Sequence, residues 1–248
     1  MKAIAIIPAR YASTRFPGKP LLKETGKFLI QHVYEQVSRC RTLTSVVVAT
    51  DDARIHEAVA SFGGMAVMTR EDHPTGTDRV AEAAATTDAD LIVNVQGDEP
   101  EIAPENIDRL VDIMRDDPAT PIGTLACPFP SDGDPKNPNG VKVVISQTGR
   151  ALYFSRSLIP YPREAKGAPD NPSNWLLHLG LYAYRREFLF KLAKLAPTPL
   201  EEREKLEQLR VLEHGYSMAV AVVSRATGGV DTPEDYAAFV ARWRRDHP

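Results

Sequence analysis

The chain has 248 residues, 43% of them hydrophobic and 25% charged, with a formal net charge of −3. That is enough apolar material for the full core of one large domain. It also offers no global basic field for nucleic acid, so any anion must be held by local cation clusters. The two cysteines, Cys40 and Cys127, show neither a disulfide framework nor a metal-ligand spacing, which fits a reducing cytoplasm. The opening apolar run ends at Pro8, too short for a signal or membrane-spanning segment.

Ala3 to Pro8 (AIAIIP) is expected as a buried strand. It feeds the loop ARYASTRFPGKP, which carries Arg10, Arg15 and Lys19 together with the hydroxyls of Ser13 and Thr14. Ligands of open parallel sheets sit outside the carboxyl ends of the strands. Guanidinium forks match phosphate oxygens, and lysine adds a point charge. The loop therefore reads either as a polyphosphate grip or as a solvated basic loop. Its spacing is neither that of the P-loop nor that of the dinucleotide folds.

Ser45 to Thr50 (SVVVAT) is the next expected strand, and Asp51 and Asp52 offer an N-cap and an acidic first turn for a helix over Ala53 to Ser61. Gly63-Gly64 stops that helix, and Met65 to Met68 reads as a short strand. In the segment REDHPTGTDR, Arg70 precedes Thr75, Gly76 and Thr77, which can present hydroxyls and backbone N–H groups at a helix start. Plain capping is the alternative for them, and His73 reads as a structural hydrogen-bond partner. A helix over Thr77 to Thr86 follows, then the strand Asp90 to Val95 and a helix over Pro104 to Arg115. This alternation implies a parallel sheet with helices on its faces.

Between strand and helix stands Gln96-Gly97-Asp98-Glu99-Pro100, which places carboxylates at the ligand edge of the sheet, or else forms only a turn. Residues 118 to 173 are rich in Pro, Gly, Asp and Asn, with short strands over Val141 to Ile145 and Ala151 to Phe154. They read as an antiparallel excursion within one domain spanning 1–248. Asn174 to Tyr184 is expected as a strand with His178, Gly180, Tyr182 and Tyr184 on one face. Glu201 to His214 is expected as one helix, Met218 to Val223 as a strand, and Pro233 to Arg245 as a closing helix. Asp231 lies just ahead of that last helix, as a helix start or, if the fold returns it to Asp98, as a second Mg²⁺ ligand. Two Asp oxygens with substrate phosphates and waters suit Mg²⁺, which rarely takes an all-protein cage. Arg156, His178, Tyr182, Glu207 and Gln208 form a possible polar group in the second half. No serine-nucleophile motif is present.

These motifs together resemble the 3-deoxy-D-manno-octulosonate (Kdo) cytidylyltransferases, also called CMP-Kdo synthetases. The stretches that carry the resemblance are IIPARYASTRFPGKPL, DHPTGTDR, VNVQGDEP, NPNGVKVV, ALYFSRSLIPYPR, HLGLYAYR, LEQLR and GVDTPEDY, in order from Ile6 to Tyr236. Two positions depart from the family pattern: Thr75 stands in place of Ser, and Gly140 in place of Ala. The resemblance implies a mostly parallel, Rossmann-like nucleotidyltransferase sheet flanked by helices. It implies transfer of CMP from CTP to Kdo with release of diphosphate, for lipopolysaccharide biosynthesis, in the cytoplasm and without membrane insertion. The same chemistry on 8-amino-Kdo or N-acetylneuraminate is the alternative. By the same resemblance Arg10, Ser13, Thr14, Arg15 and Lys19 hold the CTP phosphates, and Arg70, Thr75, Gly76 and Thr77 form the cytidine site. Asp98 and Asp231 are then the Mg²⁺ ligands, with Lys19 and Arg15 catalytic beside them. Gln96, Arg156, His178, Tyr182, Glu207 and Gln208 form the sugar-acid site, and a homodimer forms through the antiparallel segment.

Overall fold

A computed structural model describes residues 1–12 and 16–247. The first apolar run forms β1 (Ala3–Ala9), flanked on either side by parallel partners, β2 (Ser45–Thr50) and β4 (Leu91–Asn94). β3 (Ala66–Met68) extends this parallel set beside β2. Ile4 faces Ser45 on one side and Ile92 on the other, so the carboxyl ends of β1, β2 and β4 share one edge. The residues of β1 and β4 are almost wholly buried, as continuous apolar runs require when both faces of a sheet are covered.

The chain clusters into two compact units, 1–108 with 227–248, and 109–226. The first unit holds these four strands with the helices α1 (Leu29–Val37), α2 (Ala53–Ser61) and α3 (Gly76–Ala85). It also holds the start of α4 (Pro104–Asp116) and the C-terminal helix α8 (Pro233–Asp246). The capping signals act as expected. Asp52 accepts the Arg54 N–H at 2.9 Å, and Thr75 with Asp78 and Thr232 with Asp235 form reciprocal capping boxes. α8 returns to its unit by burying Tyr236, Phe239 and Val240 against Leu29 and Val230. Two polar ties reinforce this packing: the Glu24 N–H donates to the Tyr236 hydroxyl at 2.9 Å, and Arg242 pairs with Glu101.

In the second unit β5 (Ile122–Pro128) pairs antiparallel with β8 (Leu176–Arg185) and parallel with β9 (Met218–Val222). β6 (Lys142–Ile145) and β7 (Ala151–Ser155) form an antiparallel pair, and Lys142 meets Leu177 of β8. α5 (Arg186–Leu192), α6 (Pro199–Glu204) and α7 (Gln208–Glu213) complete it. The α/β class, the mostly parallel sheet with flanking helices and the antiparallel excursion agree with the sequence reading. One expectation is corrected: Glu201 to His214 is not a single helix. Lys205 adopts a left-handed conformation (φ 54°), and the Leu206 N–H closes back on the Glu201 carbonyl at 3.3 Å. The break ends α6 and restarts the chain as α7, which turns Gln208 into the interior.

Candidate active site

The carboxyl ends of β1 and β4 open onto a cleft of about 370 Å³ lined by Arg10, Lys19, Gln96, Asp98 and Asp231. Each element delivers one part of it. β1 runs out into Arg10, and Lys19 begins a short 3-10 turn held by Pro20. β4 runs out into Gln96-Gly97-Asp98, and the approach to α8 supplies Asp231. Gly97 is required here by contact, because a Cβ on it would lie 2.8 Å from the Pro8 carbonyl.

Lys19 is the centre of the cluster. Its ammonium donates to Asp98 Oδ2 at 2.8 Å and to the Val230 carbonyl at 2.6 Å, and lies 3.9 Å from Asp231 Oδ1. The fold thus brings Asp98 and Asp231 to one cation, as the sequence reading required. Val230 fixes the geometry from behind, since its N–H donates to the Asp98 carbonyl at 2.8 Å. Ser13, Thr14 and Arg15 lie outside the described residues. Arg10 donates to the carbonyls of His73 and Thr75, which ties the basic loop to the segment read as the cytidine site.

In that segment the capping alternative holds for Thr75. Its hydroxyl donates to Asp78 Oδ2 at 2.7 Å and accepts the Asp78 N–H at 3.2 Å. Gly76 and Thr77 form the first turn of α3, with Thr77 buried. Arg70 is exposed, within 3.8 Å of Asp72 and Glu82 carboxylates. His73 is a buried partner of the Glu82 carboxylate, as expected.

One acidic residue beside the cleft escaped the role assignment. Burial, followed by the neighbouring Asp98 charge, pushes the Glu99 carboxyl up to about 7, while the Thr227 hydroxyl donates to it at 3.5 Å. Its only sequence signal is adjacency to Asp98; the environment that shifts it is tertiary.

The second unit collects the other polar group. Tyr182, Glu207 and Gln208 line a cavity of about 30 Å³ together with Ile122 and Leu192. The His178 ring lies 5.5 Å from that of Tyr182 and edge-on to Phe154 at 4.8 Å. Arg156 follows Phe154 by two residues, and its guanidinium donates to the carbonyls of Glu204 (2.7 Å), Pro138 (3.0 Å) and Lys205 (3.4 Å). The His178 tautomer follows from its partner. The Thr124 hydroxyl has one proton, and the Leu181 carbonyl takes it at 2.8 Å. The His178 Nε2, 3.0 Å from the same oxygen, is then the N–H donor, which leaves the lone pair on Nδ1. Burial pushes this histidine down to about 3. Tyr182 is pushed well above the ordinary tyrosine value, first by burial and then by Tyr184 and Glu207. At neutral pH the pair is a neutral acceptor beside a neutral hydroxyl.

A cytidylyltransferase family model matches residues 4–220. The 3-deoxy-manno-octulosonate cytidylyltransferase of Syntrophotalea carbinolica is 51% identical, covering 98% of this chain and 99% of its own length. The enzyme of that name from Escherichia coli is 48% identical over 94% of this chain and 92% of its own. The chain belongs to the 3-deoxy-manno-octulosonate cytidylyltransferase family. A solved structure of CMP:2-keto-3-deoxy-manno-octonic acid synthetase complexed with CTP superposes with a TM-score of 0.93 at 45% identity, covering 99% of this chain and all of that one. A 4-diphosphocytidyl-2C-methyl-D-erythritol synthase from Anaerococcus prevotii shares the fold, with a TM-score of 0.64 at 13% identity.

Proposed function

We infer that this chain transfers CMP from CTP to Kdo, forming CMP-Kdo and diphosphate, the activated sugar acid of lipopolysaccharide biosynthesis. The observation that carries this reading is the Lys19–Asp98–Asp231 cluster, set in a cleft at the carboxyl ends of β1 and β4 in a chain half identical to enzymes of that name. The anomeric hydroxyl attacks the α-phosphorus and diphosphate leaves, so positioning and charge neutralisation supply most of the catalysis. Arg10, Ser13, Thr14, Arg15 and Lys19 hold the triphosphate, with Lys19 and Arg15 meeting the departing charge. Gly76 and Thr77 address the base through the main chain at the start of α3, because the Thr75 hydroxyl is engaged in its cap. Arg70 flanks them.

Asp98 and Asp231 are the residues that would hold Mg²⁺. The donor set fits: an ammonium already sits between the two carboxylates, marking a cation position. Among the described residues no group of three or more His, Cys, Asp or Glu could hold a metal, so an ion held by Asp98 and Asp231 would need phosphate oxygens and water to fill its shell. When bound, the ion supplies charge neutralisation at the reacting phosphates.

For the sugar acid, Arg156 grips the carboxylate. His178, held neutral, accepts from a sugar hydroxyl through Nδ1 and leaves the carboxylate to Arg156. Tyr182, Glu207 and Gln208 complete the polar lining within the second unit, and Gln96, in the cleft of the first unit, is assigned to the sugar by the family resemblance alone. Action in the cytoplasm is part of this proposal; no helix among the described residues is long and apolar enough to cross a membrane. A homodimer through the 118–173 segment is supported by the exposure of Leu152 (61%) and Tyr161 (63%).

The test is diphosphate release from CTP and Mg²⁺ with Kdo, 8-amino-Kdo and N-acetylneuraminate in parallel. Turnover with Kdo is expected. Preference for another acid would move the substrate, and silence with all three in protein that binds CTP would overturn the enzymatic reading.

A further inference from the structure

We propose that Lys142 is a positioning residue for the sugar-acid site, acting through Arg156. The proposal rests on the assignment of Arg156 to the sugar carboxylate given above.

Lys142 has no exposed surface. Its ammonium has three N–H donors, and it spends them on three main-chain carbonyls: Gly140 at 2.6 Å, Arg156 at 2.7 Å and Asn137 at 3.0 Å. Burial pushes its pKa down, which measures how unfavourable this place is for a charge. A buried cation is retained at such cost only where every donor is satisfied.

The carbonyls it selects all bear on one side chain. The Arg156 main chain is held from both ends by opposite charges. Lys142 takes its carbonyl, and Glu204 Oε2 accepts its N–H at 2.9 Å. Glu204 Oε1 accepts the Ser155 hydroxyl at 2.6 Å, fixing the residue before it. The guanidinium is then aimed by three carbonyls, of Glu204, Lys205 and Pro138. Pro138 lies inside the Asn137–Gly140 turn that Lys142 ties down. One cation therefore fixes both the backbone of Arg156 and one of the three acceptors that orient its head.

What remains of Arg156 is suited to a carboxylate. Three of its five N–H groups are used, leaving one on each Nη nitrogen. Two N–H groups on neighbouring nitrogens match the two oxygens of a carboxylate, and that match is lost if the head tilts. Lys142 touches no substrate in this scheme. Its effect is on where Arg156 points.

The experiment measures diphosphate release with Lys142→Met, Arg156→Ala and the double variant, each checked by circular dichroism. Lys142→Met keeps the length of the side chain and removes its donors. We expect the sugar-acid KM to rise roughly tenfold to a hundredfold, the scale on which small misplacements are felt, with the KM for CTP unchanged within about twofold. In the Arg156→Ala background, Lys142→Met should add nothing to the sugar KM, because its route is already cut. A merely structural lysine would lower the amount of folded enzyme and leave the sugar KM alone, and that result overturns the proposal. Full additivity of the two substitutions overturns it as well. If Lys142→Met does not fold, Lys142→Gln, which keeps one donor group, is measured against the same expectation. Failure of both to fold would make Lys142 a core staple and overturn the positioning role. An unchanged sugar KM in Arg156→Ala alone would instead overturn the assignment of Arg156 itself, which separates the two failures.

Discussion

Replacing Lys19 by methionine should make the nucleotide-free protein bind a divalent cation more tightly. The ammonium sits where the ion would sit, bonded to Asp98 at 2.8 Å and to the Val230 carbonyl at 2.6 Å, with Asp231 at 3.9 Å. A cation arriving alone must break these contacts or share the carboxylates with a like charge. A hydrogen bond to a charged group contributes about 1.5–3 kcal/mol. The half-exposed Asp231 adds little, because solvent screens it. At about 1.4 kcal/mol per decade, removing Lys19 should raise metal affinity roughly tenfold to a hundredfold. Mn²⁺ titrated into nucleotide-free protein and followed by electron paramagnetic resonance reads this directly. CTP binding should weaken in the same variant, since its phosphates lose a cation. An unchanged or lower Mn²⁺ affinity in Lys19→Met would refute the reasoning, because it would mean that the ammonium and the ion do not compete for Asp98 and Asp231.

Asp98→Asn should abolish diphosphate release while leaving the melting temperature within a few degrees of wild type, since Asp98 is partly exposed; near-normal kcat would remove it from the metal set. Gly97→Ala would place a Cβ 2.8 Å from the Pro8 carbonyl, so urea denaturation should show a loss of about 1–3 kcal/mol, the usual cost of overpacking. His178 titrates at about 3 in the folded chain against an ordinary histidine value of 6.5, so between these values the unfolded chain binds the extra proton and stability falls as the pH drops below about 6.5. The slope from this one group is at most about 1.4 kcal/mol per pH unit, and His178→Gln should flatten the wild-type curve by that amount in denaturant titrations at pH 5 and 7.

The sequence made legible those elements whose signals are local. β2 and α2 fall where the apolar run and the Asp52 cap place them, and α8 starts at its capping box. What escaped the reading lacked such marks. The N-cap position of α1 is Phe28 and that of α5 is Arg185, neither with a capping side-chain hydrogen bond, so no start signal marks them. β5 hides because Gly123 interrupts its apolar pattern, and the reason lies on the far side of the strand. A Cβ there would meet the Met114 sulfur at 2.8 Å, so the helix α4 packs directly on the backbone. The break at Lys205 is a left-handed lysine, a conformation that favours glycine and that no composition rule marks in advance.

The site divides along the same line. Lys19, Asp98 and Asp231 could be named because each stands next to a strand end or helix start, where side chains reach a ligand. That they meet is a tertiary fact, and one residue without a functional side chain brings it about. Val230 is buried among Leu29, Tyr236 and Phe239, its N–H holds the Asp98 carbonyl, and its own carbonyl holds Lys19. A helix at the end of a chain ordinarily frays unless it is tied down. Here the aromatic face of α8 ties it down, and in doing so sets Asp231 within reach of Lys19. The apolar pattern of that last helix is therefore as much a condition of the chemistry as the carboxylates ahead of it. The same logic holds for Lys142 and Glu204: neither carries a local mark in the sequence, and each meets the Arg156 main chain only through the fold.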